Sequence, residues 1–497
     1  MLSLPKSLPR ICVALGLPTA ALLASAAETE YKDGNTFLEF RLDYLKSPAS
    51  GIEVLRAFKE RYPDCYLLAT CRHRHASGHF NGDVQQQLRI LKDVARAGAT
   101  FVDLEIETAE QIKPELELLR KLAPLCLSYH NFESTPALGA ILKRLQRIPA
   151  DVHKIAVTAR KPSDNLRLFD ALRAEHKIPL IVMAMSEVGF VSRVLSPSMG
   201  SLYSYAAPSA DAGTAQGQVP ARLMRGLYRC ERLTSQTRIY GVIASPVAHS
   251  KSPLIHNRAF QARRIDAVYL PFLVQQGQLG DWMKVAAELP VSGFSVTIPH
   301  KQSIMRYLDV IDPLAKRIGA VNTVWRKAGK WRGANTDAEG VVQPLSKHLR
   351  LANSSILIAG YGGAARAAAI ALSDASAKIT ITGRDVKSAR QLAQVVKGEA
   401  LSLADAENAH FDVLINATPL GMHPNCNGSI FTEKIPAAIV MDMVYNPHET
   451  ELLKRAKARN ATVIYGIDML LEQAAHQFEL WTGDTAPRGV MKRAIES

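Results

Sequence analysis

Eight short runs of apolar and β-branched residues, set between residues 10 and 206 and separated by segments of helical character, constrain this chain more than any other feature. They are ICVALGL from Ile11, TFLEFRLDY from Thr36, CYLLATC from Cys65, TFVDLEIE from Thr100, PLCLSYH from Pro124, VHKIAVT from Val152, PLIVMAM from Pro179 and SLYSYAA from Ser201. Strand-like runs that alternate with helices at near-regular intervals read as parallel β/α units. Eight of them in about 220 residues match the count and size of a TIM-type (β/α)8 barrel. Barrel chemistry sits at the C-terminal ends of the strands, so Arg72, His130 and Lys154 are expected to face one shared mouth, with Arg193 following the seventh run.

Lys154 lies inside an apolar strand, Val152-His153-Lys154-Ile155-Ala156-Val157. A lysine buried there is costly to keep charged, so its pKa should fall and its free amine become a nucleophile able to form a Schiff base. The competing reading is a lysine that extends its charged end out of the strand terminus. His130, at the end of the neighbouring strand after Leu127-Ser128-Tyr129, favours the chemical reading, because a histidine is the usual base for removing a proton beside an imine carbon.

The second half carries different signals. Residues 353–360 form a buried strand running into Gly360-Tyr361-Gly362-Gly363-Ala364-Ala365-Arg366, which opens an Ala-rich helix. That is the strand, glycine turn and helix context of a dinucleotide site. The next strand, Lys378 to Thr382, ends in Gly383-Arg384-Asp385. Arg384 suits a 2′-phosphate and hence NADP, while Asp385 keeps NAD as the alternative. Ahead of this domain, Ser250 and Ser252 are candidates to hydrogen-bond one carboxylate, or to cap the helix that begins near Pro253. Lys301 follows Pro299-His300 and Asp337 lies in Asn335-Thr336-Asp337. If the two meet, they suit a proton shuttle beside a nicotinamide.

Composition narrows the function classes. The chain has 497 residues, 47% hydrophobic and 21% charged, which is soluble globular material enough for two to four domains. Its net charge of +14 is spread evenly, with 29 basic and 23 acidic residues in 1–230 against 31 and 23 thereafter. Without a basic stripe, and with 6% aromatics, this argues against nucleic acid and for small anionic substrates. Six dispersed cysteines without CxxC pairs point to reduced thiols and a cytoplasmic protein, and nothing implies a metal. Lys6 and Arg10 before the apolar run to Ala24, with Ala24-Ser25-Ala26 beyond, imitate a secretory leader, but the same run reads as a first strand and an Ala-rich helix. No segment is apolar for long enough to span a membrane as a helix, and the oligomeric state stays open.

Residues 10–230 resemble the type I 3-dehydroquinate dehydratases. The family's Glu-x-Arg-x-Asp is matched by Glu39-Phe40-Arg41-Leu42-Asp43, its arginine after strand three by Arg72, its Ser-Tyr-His by Ser128-Tyr129-His130 and its imine lysine by Lys154. Ser192-Arg193-Val194 matches the segment whose arginine clamps the substrate carboxylate, and Thr214 to Gln218 the closing substrate loop. The resemblance implies that Lys154 and His130 are catalytic and that Glu39, Arg41, Arg72, Arg193, Thr214 and Gln218 bind substrate. Where relatives carry Glu-Gly-Gly, with a glutamate that orients the histidine, this chain has Ala76-Ser77-Gly78.

Residues 238–495 resemble shikimate dehydrogenase, with its motifs in order: 249–257, Ser295 to Lys301, Gly319 to Thr323, Asn335 to Asp337, Asn416 to Met422, Asp442 to Pro447 and Gln473 to Ala475. The family implies that Ser250 and Ser252 hold the carboxylate, that Thr297, Asn322, Asp337 and Gln473, with Tyr445, bind the substrate, and that Lys301 and Asp337 are catalytic. Gly360, Gly362, Gly363, Ala364, Arg384, Lys387 and Thr418 would hold NADPH, with Met443, Gly466 and Met469 on its nicotinamide side. The expectation is an α/β protein with a dehydratase barrel over 1–230, a shikimate-binding lobe over 238–340 and a Rossmann-type NADP lobe over 341–497. It would convert 3-dehydroquinate to 3-dehydroshikimate and then to shikimate. The alternatives are a barrel kept only as a binding module, and a second half that acts on quinate.

Overall fold

A computed structural model describes residues 3–209 and 212–496, so the outermost ends of the expected domains, residues 1–2 and 497, lie outside the described residues. The chain divides into two compact units, residues 1–239 with 266–290, and residues 240–265 with 291–497.

All eight expected runs of the first unit form strands: β1 (Ile11–Leu15), β2 (Phe37–Arg41), β3 (Tyr66–Thr70), β4 (Phe101–Glu105), β5 (Leu125–His130), β6 (Val152–Thr158), β7 (Leu180–Met185) and β8 (Ser204–Ala207). They lie in sequence order and in parallel, and β1 pairs with both β2 and β8, which curls the sheet on itself. Between β7 and β8 the seam is bridged just ahead of β8, where Leu202 N–H donates to Leu180 O at 3.0 Å. A two-residue strand the sequence does not advertise, β9 (Val219–Pro220), adds to β8. The leader-like run is thus barrel strand β1, wholly buried, followed by the helix Ala20–Lys32, which Thr19 caps.

Strand periodicity explains why polar groups converge inside this sheet. Successive side chains alternate faces, so residues two apart share one. Phe37, Phe101, Cys126, Val152 and Tyr203 build an apolar layer. Two residues further along each strand the same face presents Glu39, Asp103, Ser128, Lys154 and Tyr205, and two further still Arg41, Glu105 and His130. In register, Ser128 stands beside Lys154 and His130 beside Ala156.

The second unit begins in β10 (Arg238–Ala244); the next strand, β11 (Ala267–Leu273), and the helix Leu279–Glu288 cluster with the first unit. β10, β12 (Val291–Val296), β14 (Thr323–Lys327), β15 (Lys330–Ala334) and β13 (Val310–Ile311) lie side by side in that order. The last sheet comprises β16 (Ser355–Ala359), β17 (Lys378–Thr382), β18 (Glu399–Leu401), β19 (Phe411–Asn416), β20 (Ala437–Asp442) and β21 (Thr462–Ile464). Its order, β18-β17-β16-β19-β20-β21, with every pair parallel, is the doubly wound 3-2-1-4-5-6 arrangement. Along β16, Ile356 and Ile358 enter one core cluster while Leu357 and Ala359 enter another, so both faces are covered. The order reverses between β16 and β19, and the crevice for a ligand opens beyond their C-terminal ends.

Candidate active sites

Inside the first unit, Lys154 is 4% exposed and its Nζ donates to Asp103 Oδ2 at 3.1 Å and to Tyr205 OH at 2.9 Å, with Glu39 Oε1 at 4.0 Å. The apolar strand therefore delivers the amine into a polar cluster rather than an apolar pocket or solvent. Asp103 also accepts from Arg72 at 2.8 Å and Ser128 at 2.8 Å. Burial pushes its carboxyl up, but the Lys154 and Arg72 charges outweigh this and hold it well below the usual carboxylate range. Thr70 donates to Glu39 at 2.7 Å, and Arg41 grips Asp43 through two hydrogen bonds of 2.9 and 2.8 Å.

His130 lines the same cavity as Lys154, Arg193, Thr214 and Gln218. Burial, reinforced by the Arg72 and Lys154 charges, keeps its ring neutral far below the usual histidine range, so it is available to accept a proton at neutral pH. Its Nδ1 has no hydrogen-bond partner among the described residues. Glu105, on the same face of the sheet, accepts from Gln87 at 2.8 Å and Thr108 at 2.6 Å through Oε1, and the His130 ring stacks on Phe132. Arg193 is 1% exposed, and its guanidinium, lowered by burial to about 10, still carries its charge at neutral pH. It meets Gln216 O at 3.2 Å and, among the described residues, forms no ion pair, which suits it to an anionic substrate group. Gln216 belongs to the 214–218 loop, held together by Thr214 N–H to Gln218 Oε1 at 2.7 Å.

In the second unit the sequence pair meets: Lys301 Nζ lies 2.5 Å from Asp337 Oδ2, and Asn322 Nδ2 donates to Asp337 Oδ1 at 2.8 Å. Asn322 reaches Gln473 at 3.2 Å, and Gln477, a residue the motifs did not single out, ties Ser295 at 2.9 Å to Thr323 at 3.0 Å. Asp337 begins the helix Asp337–Ser346, and Gly340 lets the helix carrying Met469 and Gln473 pack against it, since an added Cβ would lie 2.9 Å from Met469 O. Ser252 N–H donates to Ser250 Oγ at 3.3 Å; Lys251 occupies the cap position of the helix Ser252–Ala262 without a side-chain bond, so neither serine acts as the N-cap.

The expected cofactor residues divide. Gly360, Gly362, Arg384 and Thr418 line one cavity of about 770 Å³, together with Pro419, Leu420 and Met422 of the Asn416 to Met422 motif and with His423 to Gly428, which the sequence did not flag. Gly363, Ala364 and Lys387 are not in its lining, nor are Met443, Gly466 and Met469. Met443 and Gly466 pack together, and Met469 lies beside Gly340, close to the Asp337 helix. The cradle fits a dinucleotide: an added Cβ at Gly362 or Gly363 would meet nothing within 4 Å, whereas Gly360, at φ +119, would bring one within 3.0 Å of Ala417 O. The Asp385 carboxylate accepts the Lys387 and Ser388 amides and caps the helix Val386–Val395, and Asp385 is not in the cavity lining. This leaves Arg384 facing the cavity.

Below this cavity Asp442 joins the loops, accepting from Asn416 at 2.9 Å, Thr450 at 2.6 Å and Val444 N–H at 3.0 Å. Burial raises its carboxyl to about 6 despite these bonds. The folded chain then holds the proton more tightly than the unfolded one, so this contribution is most favourable below about pH 4 and is lost as pH rises through 6. The full drop is about 3 kcal/mol. Asp442→Asn is expected to abolish that slope. Urea unfolding of both chains between pH 4 and 7 measures it, and parallel stability curves would contradict it.

Among the described residues no group of three or more His, Cys, Asp or Glu side chains is placed to hold a metal ion, and no helix is long and apolar enough to cross a membrane. The profile of type I 3-dehydroquinase matches residues 11–235. Those of the shikimate dehydrogenase substrate binding domain, shikimate/quinate 5-dehydrogenase and the shikimate 5′-dehydrogenase C-terminal domain match 242–324, 344–424 and 466–496. The bifunctional 3-dehydroquinate dehydratase/shikimate dehydrogenase, chloroplastic, of Arabidopsis thaliana is 33% identical over 480 residues, 92% of this chain and 79% of that one. The shikimate dehydrogenase (NADP(+)) of Bacillus cereus strain G9842 is 43% identical over 270 residues, covering 52% of this chain and 97% of its own length. A crystal structure of shikimate dehydrogenase in complex with NADP+ matches 53% of this chain and 96% of its own at 40% identity and a TM-score of 0.51. With a dehydratase-type barrel and a dehydrogenase-type unit in one polypeptide, this chain belongs to the bifunctional 3-dehydroquinate dehydratase/shikimate dehydrogenase family.

Proposed function

We propose that residues 1–230 dehydrate 3-dehydroquinate, that residues 238–340 bind the product and that residues 341–497 hold NADPH for its reduction to shikimate. The observation that carries this reading is a pair of lysine–carboxylate centres, Lys154 with Asp103 and Lys301 with Asp337, one in each unit. In the barrel, Arg193 holds the substrate carboxylate and the amine of Lys154 attacks the ketone, giving an imine with loss of water. His130 takes a proton from the adjacent carbon, the hydroxyl departs as water, and hydrolysis frees 3-dehydroshikimate and the lysine.

In the second unit Ser250 and Ser252 face the carboxylate, and Thr297, Asn322, Gln473 and Tyr445 face the rest of the substrate. Gly360, Gly362, Gly363 and Arg384 would hold NADPH, which supplies a hydride when bound. Lys301, kept in place by Asp337, gives the proton to the nascent alkoxide oxygen. Family membership favours a catalytic barrel over a binding module. The chain acts on small molecules, without nucleic acid or membrane, in the cytoplasm; the six free cysteines support a reducing compartment.

Purified protein is expected to consume NADPH and form shikimate from 3-dehydroquinate as well as from 3-dehydroshikimate. Consumption from 3-dehydroshikimate alone would defeat the dehydratase assignment, and faster turnover of quinate than of shikimate in the reverse direction would defeat the choice of substrate.

A further inference from the structure

Three groups surround the Lys154 amine, and two of them are already committed. Asp103 receives Arg72 and Ser128 as well as the lysine, and Glu39 receives Thr70. Asp103, between two cations, is held as a carboxylate and is poorly suited to releasing and regaining a proton, and Glu39, 4.0 Å from Nζ, lies beyond hydrogen-bond reach. The third is Tyr205, 3% exposed, whose hydroxyl lies 2.9 Å from Nζ and whose ring centroid lies 4.2 Å from it. A phenol accepts a hydrogen bond from an ammonium and donates one to a neutral amine, so it can follow the nitrogen through both states. Tyr205 also lines the cavity shared by Lys154 and His130, so it borders the space in which a substrate carbonyl would meet the amine. Behind it stands Tyr203, wholly buried, with the two hydroxyls 3.3 Å apart.

Resting on the dehydratase reading, we propose that Tyr205 is a catalytic residue of the imine chemistry, distinct from the His130 base that acts on carbon. As the nitrogen lone pair forms the C–N bond, the carbonyl π pair moves to oxygen, leaving an ammonium beside an alkoxide. The nitrogen proton passes to the Tyr205 oxygen while the Tyr205 proton passes to the alkoxide. The result is a neutral carbinolamine and an unchanged tyrosine. Water loss then gives the imine, and hydrolysis runs the same exchange in reverse. Burial, with Tyr203 and Glu39 adding to it, keeps the Tyr205 phenol protonated far above neutral pH, as a donor in this exchange must be. Tyr203 has no contact with Nζ among those described; it steadies the Tyr205 hydroxyl.

The test uses the full chain and 3-dehydroquinate, quenching with borohydride at successive times and following the Lys154 adduct by mass spectrometry. Tyr205→Phe keeps the ring and removes the hydroxyl. It is expected to slow adduct formation about 100-fold, within the usual range for a lost acid–base group. The final yield of adduct should be unchanged, with KM within about threefold of the parent and 3-dehydroshikimate reduction by the same chain intact. Tyr203→Phe is expected to cost less than about tenfold. If Tyr205→Phe proves unstable, 3-fluorotyrosine installed at that position keeps ring and hydroxyl but is more acidic, and it should move the alkaline limb of the adduct rate to lower pH. Adduct formation by Tyr205→Phe at the parent rate, a loss confined to KM, or an unmoved pH profile with fluorotyrosine would each overturn the role of Tyr205. Failure of the parent chain to form any adduct would overturn the dehydratase reading itself.

Discussion

Lys154→Met is expected to lower 3-dehydroquinate dehydration on the order of 10⁵-fold, the scale of loss seen when a covalent nucleophile is removed. The effect is chemical rather than structural. Methionine fills a similar volume in a site 4% exposed, and Asp103 keeps Arg72 and Ser128, so no buried carboxylate is stranded. The second unit supplies an internal control, because reduction of 3-dehydroshikimate by the same polypeptide reports whether the chain has folded. Borohydride with 3-dehydroquinate should label the parent and leave Lys154→Met unlabelled. A variant that still dehydrates within about tenfold of the parent, with reduction intact, would show that the imine is not formed at this residue. The His130 Nδ1, unpartnered among the described residues, bears on the parent rate instead: a ring without a carboxylate hydrogen-bonded behind it is a weaker base.

How far the sequence could be read depended on whether a residue broke its local pattern. Lys154 and His130 stood out because each interrupts or ends an apolar strand, and the placing of barrel chemistry at strand C-terminal ends then pointed both to one mouth. Asp103 escaped because TFVDLEIE alternates apolar and acidic residues as any half-exposed strand does, and only the barrel register turns that face inward. Tyr205 escaped because an aromatic in a strand reads as core, and its ring does pack there. The glycine turn after β16 was legible, since strand, turn and helix each carry their own signal. The far side of the cofactor cavity, His423 to Gly428, is a loop rich in Pro, Asn and Gly with no period to read. Gln477 is one helical turn beyond Gln473, and an i, i+4 inspection of that helix would have found it.

Lys301→Met should reduce turnover of 3-dehydroshikimate by about 10² to 10⁴-fold while leaving KM within a few fold, the pattern of a group whose main contribution comes in the transition state. The geometry sets this apart from loss of a binding contact. Asn322 and Gln473, the proposed substrate ligands, are fixed by Asp337, Gln477 and each other, and none of these bonds passes through Lys301. Asp337 loses one partner but keeps Asn322, so the helix it begins stays in place. Asn322→Ala should show the opposite pattern, a raised KM with a smaller change in kcat, because it withdraws a ligand for the substrate and leaves the 2.5 Å Lys301–Asp337 contact standing. Steady-state kinetics on both variants, with 3-dehydroquinate dehydration as the folding control, separates the two roles. If Lys301→Met instead raised KM and spared kcat, the lysine would be a substrate ligand, and the proton would have to come from another group at the same site.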